Sequence, residues 1–205
     1  MIAIINYGLG NLTSILNMCK RLGIDAVITS DHDEIKEADK LILPGVGHFK
    51  KGMDNLKLTG LQSLLNELVL KDGKQILGIC LGAQLMTMHS EEGDIFGLQW
   101  INAKTVKFSS EFTEVPIKVP HMGWCDIELK DDNPLLKDLP IGPRFYHVHG
   151  YHFSFEDFVE VSATAIYGYE FVCAFRKENI YGMQFHPEKS HKYGMKVLRN
   201  FADLP

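Results

Sequence analysis

No stretch of these 205 residues approaches the roughly 20 consecutive apolar residues that a membrane-spanning helix needs. Met1 to Asn6 carry no basic cluster and too little length for a secretory leader. Basic runs are missing too. Lys and Arg number 21 against 26 Asp and Glu, a formal net charge of −5, which argues against nucleic acid or an anionic membrane as principal partner. Cysteine is scarce, at four residues, and fits a reducing compartment rather than a disulfide framework. Repeats, linkers and low-complexity segments are absent. The expectation is a cytoplasmic chain without disulfides.

What is present is a composition of 45% hydrophobic and 23% charged residues, enough for one substantial core and too little for two comfortable ones. One domain spanning 1–205 is expected. Short apolar runs at Ile2–Asn6, Ala26–Thr29, Lys40–Leu43 and Gln75–Ile79 alternate with helical patterns at Asn11–Leu22 and across His48–Lys71, which predicts an α/β fold with an open, mostly parallel sheet flanked by helices. From Gly93 the pattern changes. Short β-like runs at Thr105–Phe108, Ile127–Leu129, Arg144–Phe153, Val159–Ile166 and Phe171–Phe175, with turns at Tyr167-Gly-Tyr-Glu and Lys177-Glu-Asn, predict an antiparallel extension. A strand at Ile180–Phe185 and a helix at Lys192–Phe201 close the chain.

The chemistry concentrates at Lys74–His89. A strand ends at Cys80, which lies between Gly78 and Gly82, and an apolar-faced helix follows. Flanking glycines permit a sharp strand-to-helix corner that lifts the side chain clear of the sheet. At a helix N-terminus the thiolate is favoured, and the Leu81 N–H points where an oxyanion would form. Cys19, Cys125 and Cys173 read instead as small core hydrophobes. Downstream, His186-Pro187-Glu188 supplies a base for the thiol and a carboxylate to orient that base. Gly8-Leu-Gly10 lacks the third glycine and later acid of a dinucleotide site. His147, His149 and His152 tempt a metal reading, but no carboxylate or Cys accompanies them, and no metal or cofactor is expected; a pocket wall is the preferred role. Asp31-His-Asp33 reads as a polar turn and helix cap.

Gly-Ile-Cys80-Leu-Gly together with His186-Pro-Glu188 resembles the class I, triad-type glutamine amidotransferases. More closely, the order of Asn6-Tyr-Gly-Leu-Gly-Asn11, Leu43-Pro-Gly-Val-Gly47, Glu91-Glu92-Gly93, Lys118-Val-Pro-His-Met-Gly-Trp124 and His186-Pro-Glu-Lys-Ser190 is similar to the glutaminase subunits of imidazole glycerol phosphate synthases. The resemblance implies a flavodoxin-like sheet and glutaminase chemistry by Cys80, His186 and Glu188. It also implies a second oxyanion donor at Val46, a glutamine pocket from Gly45, Gly47, Gln84, Glu92, His149, Gly150 and Tyr151, and a partner interface at Asn11, Trp124 and Lys189. For Trp124 a core aromatic is the alternative.

The chain leaves no room for a synthase domain, so a partner chain in a heterodimer is implied, with ammonia passing between the two. A barrel cyclase subunit is one candidate. The family commonly has Phe-Val-His-Ser-Tyr where this chain has His147-Val-His149-Gly150-Tyr151, and Asn where it has Cys125. Tyr7–Asn11 and Lys189–Met195 look more like a paralogue that feeds a sugar amidotransferase in surface-polysaccharide synthesis. A non-catalytic glutamine-sensing subunit is a third reading, against which the intact Cys80, His186 and Glu188 argue.

Overall fold

The computed structural model describes residues 1–156 and 160–205. The first half runs β1 (Ile2–Ile5), α1 (Leu12–Arg21), β2 (Ala26–Thr29), α2 (His32–Glu37), β3 (Lys40–Gly45), α3 (Phe49–Leu58), α4 (Leu61–Asn66) and β4 (Gln75–Cys80). Next come α5 (Leu81–Gln84), β5 (Thr87–Ser90), β6 (Ile95–Phe96), β7 (Ile101–Lys107) and β8 (His121–Leu129). The chain continues through β9 (Arg144–His149), β10 (Tyr151–Phe155), β11 (Val161–Tyr167), β12 (Tyr169–Lys177), β13 (Ile180–Met183) and α6 (His191–Ala202).

β1 explains the layering. Its four residues are all buried because alternate side chains enter two different cores, as a strand covered on both faces requires. Ala3 and Ile5 pack with Phe49 and Met53 of α3 and Leu61 and Leu65 of α4. Ile2 and Ile4 pack with Ile15 and Cys19 of α1 and Val197 and Phe201 of α6. Each such Ile or Phe contributes about 1.5–3 kcal/mol when fully buried. Asp31 caps α2, its Oδ1 accepting from the N–H groups of Asp33 and Glu34 at 3.0 Å.

β2, β1, β3, β4 and β13 form a parallel series in that order. The sheet then continues antiparallel through β12, β10 and β7. β11 pairs with β12 and β8, and β8 with β9. The two expected turns occur, closing Tyr167 on Tyr169 and Lys177 on Ile180. Among the described residues, no helix is long and apolar enough to cross a membrane.

Three expectations need correction. The helix after Cys80 is a single turn, not a run to His89. The incoming chain takes the carbonyls a longer helix would need: Leu98 N–H donates to Leu85 at 2.7 Å and Trp100 N–H to Met86 at 2.9 Å. Second, the run Arg144–Phe153 is two strands, β9 on β8 and β10 on β7 and β12, divided at Gly150. The run proposed from Val159 is strand from Val161, Val159 itself lying outside the described residues. Third, Cys125 is not a core residue: it is half-buried in a groove of about 460 Å³ shared with Trp124, Arg144 and Ile166. The inward face of β8 is closed only at His121 and Ile127. All four cysteines are free.

Candidate active site

Cys80 ends β4 with φ 52° and ψ −113°, a backbone region that costs a non-glycine residue of order 1–3 kcal/mol. Neither Gly78 nor Gly82 has a positive φ, so the glycines do not make the corner as expected; the cysteine does. The glycines make room. A Cβ on Gly78 would lie 2.6 Å from the Ala83 Cα, and one on Gly82 would collide with the Leu43 carbonyl. The clearance lets α5 sit directly on β3, with Leu81 buried at its first turn.

β3 runs through Pro44 to Gly45, and Gly45 stands opposite Cys80 in the parallel register. Val46 follows, 45% exposed. The Tyr7 hydroxyl abuts Gly45 and is buried without a hydrogen-bond partner. Burial, and next the charge of Cys80, push the Tyr7 hydroxyl pKa far up.

His186 and Glu188 arrive from the end of β13, which is parallel to β4 and adjacent to it. The His186 Nδ1 lies 2.8 Å from the Glu188 Oε1, each side chain 1% exposed. The other nitrogen, Nε2, is buried without a hydrogen-bond partner. Burial by itself would lower the His186 pKa, but the charge of Cys80, then the hydrogen bond and charge of Glu188, outweigh it and raise the value to about 10. Ser190 pins the motif: its hydroxyl donates to the His186 carbonyl at 2.7 Å and accepts from the Tyr146 N–H at 2.9 Å.

β9 crosses this pair. The Tyr146 carbonyl accepts from the His186 N–H at 2.9 Å, and the Val148 carbonyl lies 4.0 Å from the Cys80 Sγ. Gln84 Nε2 donates to the Tyr151 carbonyl and to the Gln184 Oε1, both at 3.1 Å, so its amide donors are committed inside the protein. Gln184 Nε2 lies 3.7 Å from the Cys80 Sγ. The Glu92 Oε2 accepts from the Phe49 N–H at 2.7 Å. Burial, then the charges of Glu92 and Glu91, raise the Tyr151 pKa. Gly150 lies against Val119, and Gly47 against Leu9.

The histidines regroup. His152 turns to the Tyr169 hydroxyl at 2.9 Å, and His121 of β8 joins His147 and His149 instead, one nitrogen of each lying within 4.8 Å of the others. The His121 and His147 rings are stacked at 18°.

Farther out, Asn11 precedes α1 without capping it; its Oδ1 accepts from the Ser14 hydroxyl at 2.8 Å. Trp124 is 38% exposed, stacked on His191 at 5° with Arg144 over its ring, so it is no core aromatic. Lys189 is exposed, its Nζ over the Tyr146 ring. Sequence reasoning missed Tyr7, His121, Gln184 and Ser190. Each lies within or next to one of the motifs above, but nothing in its spacing signals which way its side chain turns.

A strained thiol on a glycine-cleared turn, a buried His–Glu pair beside it, and a sheet of this order together define a class. The model of the family Glutamine amidotransferase class-I matches residues 3–204, and the chain belongs to that family and is an enzyme of it. Solved structures of similar fold include a glutamine amidotransferase at TM-score 0.73, 18% identity and full coverage of both chains. Another is the glutaminase domain of a Trypanosoma brucei CTPS, at TM-score 0.67 and 15% identity over 100% of this chain and 94% of that one. More particularly, the chain is 52% identical over 98% of both lengths to a Methanococcus maripaludis protein named imidazole glycerol phosphate synthase subunit HisH 2. It is 42% identical over the full length of both to a Pseudomonas aeruginosa protein of that same name.

Proposed function

We propose that the chain, acting as one domain over 1–205, hydrolyses the side-chain amide of L-glutamine and hands the ammonia to a synthase partner, as the glutaminase subunit of an imidazole glycerol phosphate synthase. The observation that carries this reading is the buried His186–Glu188 pair beside the strained Cys80. The sulfur attacks the amide carbon while the N–H groups of Leu81 and Val46 receive the oxyanion. His186 protonates the departing ammonia and later deprotonates water against the thioester, and Glu188 holds the imidazolium in place.

In this reading Gly45, Gly47, Gln84, Glu92, His149, Gly150 and Tyr151 form the glutamine pocket. Since the donors of Gln84 are committed to Tyr151 and Gln184, what it offers substrate is its Oε1. Asn11, Trp124 and Lys189 face the partner. The exposure of Trp124 supports an interface role there, and the names of the relatives favour a cyclase barrel over a sugar amidotransferase.

The test is steady-state glutamate release by the purified chain alone, with the ligand-loaded cyclase, and with the sugar amidotransferase. A large rise in kcat with the cyclase, at little change in KM, is expected, because an oxyanion donor acts on the transition state rather than on bound glutamine. A rise with the sugar amidotransferase alone would reassign the partner. Full kcat without either would make the chain a stand-alone glutaminase.

A further inference from the structure

His147 is buried completely and stands where two backbone contacts bracket it, Tyr146 holding His186 and Val148 lying over Cys80. Its protonation pattern follows from its neighbours. The Tyr151 carbonyl can only accept, so the His149 Nδ1, 2.8 Å away, carries the proton of that neutral ring and leaves its Nε2 an acceptor. The His147 Nδ1 is 2.9 Å from that Nε2 and must therefore donate. The His147 Nε2 is then a bare lone pair, and it is buried without a partner.

A buried acceptor without a donor is uncommon and calls for an explanation. The ring is kept neutral: burial, then the charges of His121 and His186, hold its pKa well below the ordinary histidine value. The nearby His186 is the group that protonates the departing ammonia in the proposed reaction. Ammonia is a small hydrogen-bond donor, and it must stay unprotonated to serve as a nucleophile elsewhere. A neutral imidazole accepts its N–H without supplying a proton.

We infer that the His147 Nε2 forms an ammonia subsite, accepting an N–H of the nitrogen that leaves the tetrahedral carbon as His186 protonates it and the C–N bond breaks. The inference rests on the glutaminase reading above. By microscopic reversibility the same subsite receives an amine that attacks the thioester. In that reverse step the amine nitrogen bonds to the carbonyl carbon, the C–S bond breaks, and the amine's proton passes through His186 to the sulfur.

The experiment supplies L-glutamine and hydroxylamine to the chain in complex with its ligand-loaded synthase partner and measures the ratio of γ-glutamyl hydroxamate to glutamate. A ratio is insensitive to the fraction of folded enzyme. His147→Phe should lower it roughly 3- to 10-fold, the worth of one hydrogen bond, while His147→Gln, which retains an acceptor oxygen, should stay within about twofold of wild type. An unchanged ratio in His147→Phe, or equal losses in both variants, would overturn the subsite. If wild type forms neither product, the glutaminase reading fails and the subsite with it. If wild type forms both and the variants match it, only the subsite fails.

Discussion

The two halves of the site are built differently. On the β3–β4 side the proposed mechanism draws mostly on backbone, the N–H groups of Leu81 and Val46, and on one side chain, Cys80, on a turn whose geometry depends on clearance at Gly78 and Gly82. On the β8, β9 and β13 side it offers imidazoles and a carboxylate buried in an aromatic wall. The first half should therefore be sensitive to added atoms, and the second to protons and to the chemistry of single groups.

The largest expected effect is at the one place where both halves meet. Cys80→Ser should lower glutamine-dependent glutamate release by about 10⁴-fold or more while the circular dichroism spectrum and Tm stay near wild type. Near-normal release would remove Cys80 as nucleophile. His186→Ala should come close to this loss. Glu188→Gln, which keeps the shape but not the charge, should fall short of it, at about 10²-fold. Equal and mild losses at the two positions would return the motif to a structural role.

Steric dependence separates the halves next. Gly82→Ala places a Cβ against the Leu43 carbonyl and should cost about 3 kcal/mol in urea unfolding. Gly123→Ala, on β8, meets nothing within 4 Å and suffers only from its φ of +140°, so about 1 kcal/mol is expected. A reversal of that order would contradict the clearance argument.

Protons should divide the halves in the opposite sense. Burial lowers the pKa of His121 from 6.5 to about 4 and those of His147 and His149 well below 6.5. These rings bind protons more readily in the unfolded chain, so their contribution to stability is present above pH 6.5 and is lost as pH falls toward 4. His186, raised to about 10, works the other way. Its contribution is complete below pH 6.5 and disappears as pH rises through 10. Thermal unfolding across pH 4–10 should show both limbs, with His147→Phe flattening the acid one and His186→Ala the alkaline one. The smallest expected effect is at Trp124→Ala: weaker capture of the cyclase partner, read by analytical ultracentrifugation, with Tm shifted by no more than a few degrees.

The parallel half was the more legible of the two. Strands buried on both faces read as continuous apolar runs, and β1, β2, β3 and β4 were placed within two residues of their observed ends. In the second half β7, β8 and β12 proved longer than their apolar stretches. The extensions carry residues such as Glu170 and Lys177 that pair with neighbours at the sheet surface. β5 and β6 were missed because Thr87–Ser90 and Ile95–Phe96 are too short to show a period.

By itself the sequence determined the class of chemistry. Cys80, His186 and Glu188 are reactive groups whose roles follow from thiol, imidazole and carboxylate acidity, and the order of strands and helices sets which sheet edge they can share. Only the tertiary structure decided that Cys80 rather than its glycines takes the strained φ, that His121 displaces His152 beside His147 and His149, and that the His147 Nε2 has no donor. The first depends on the close approach of α5 to β3; the other two depend on which side chains are brought together across β8 and β9, and burial then sets the charge state of each ring. Local sequence carries no information about that burial.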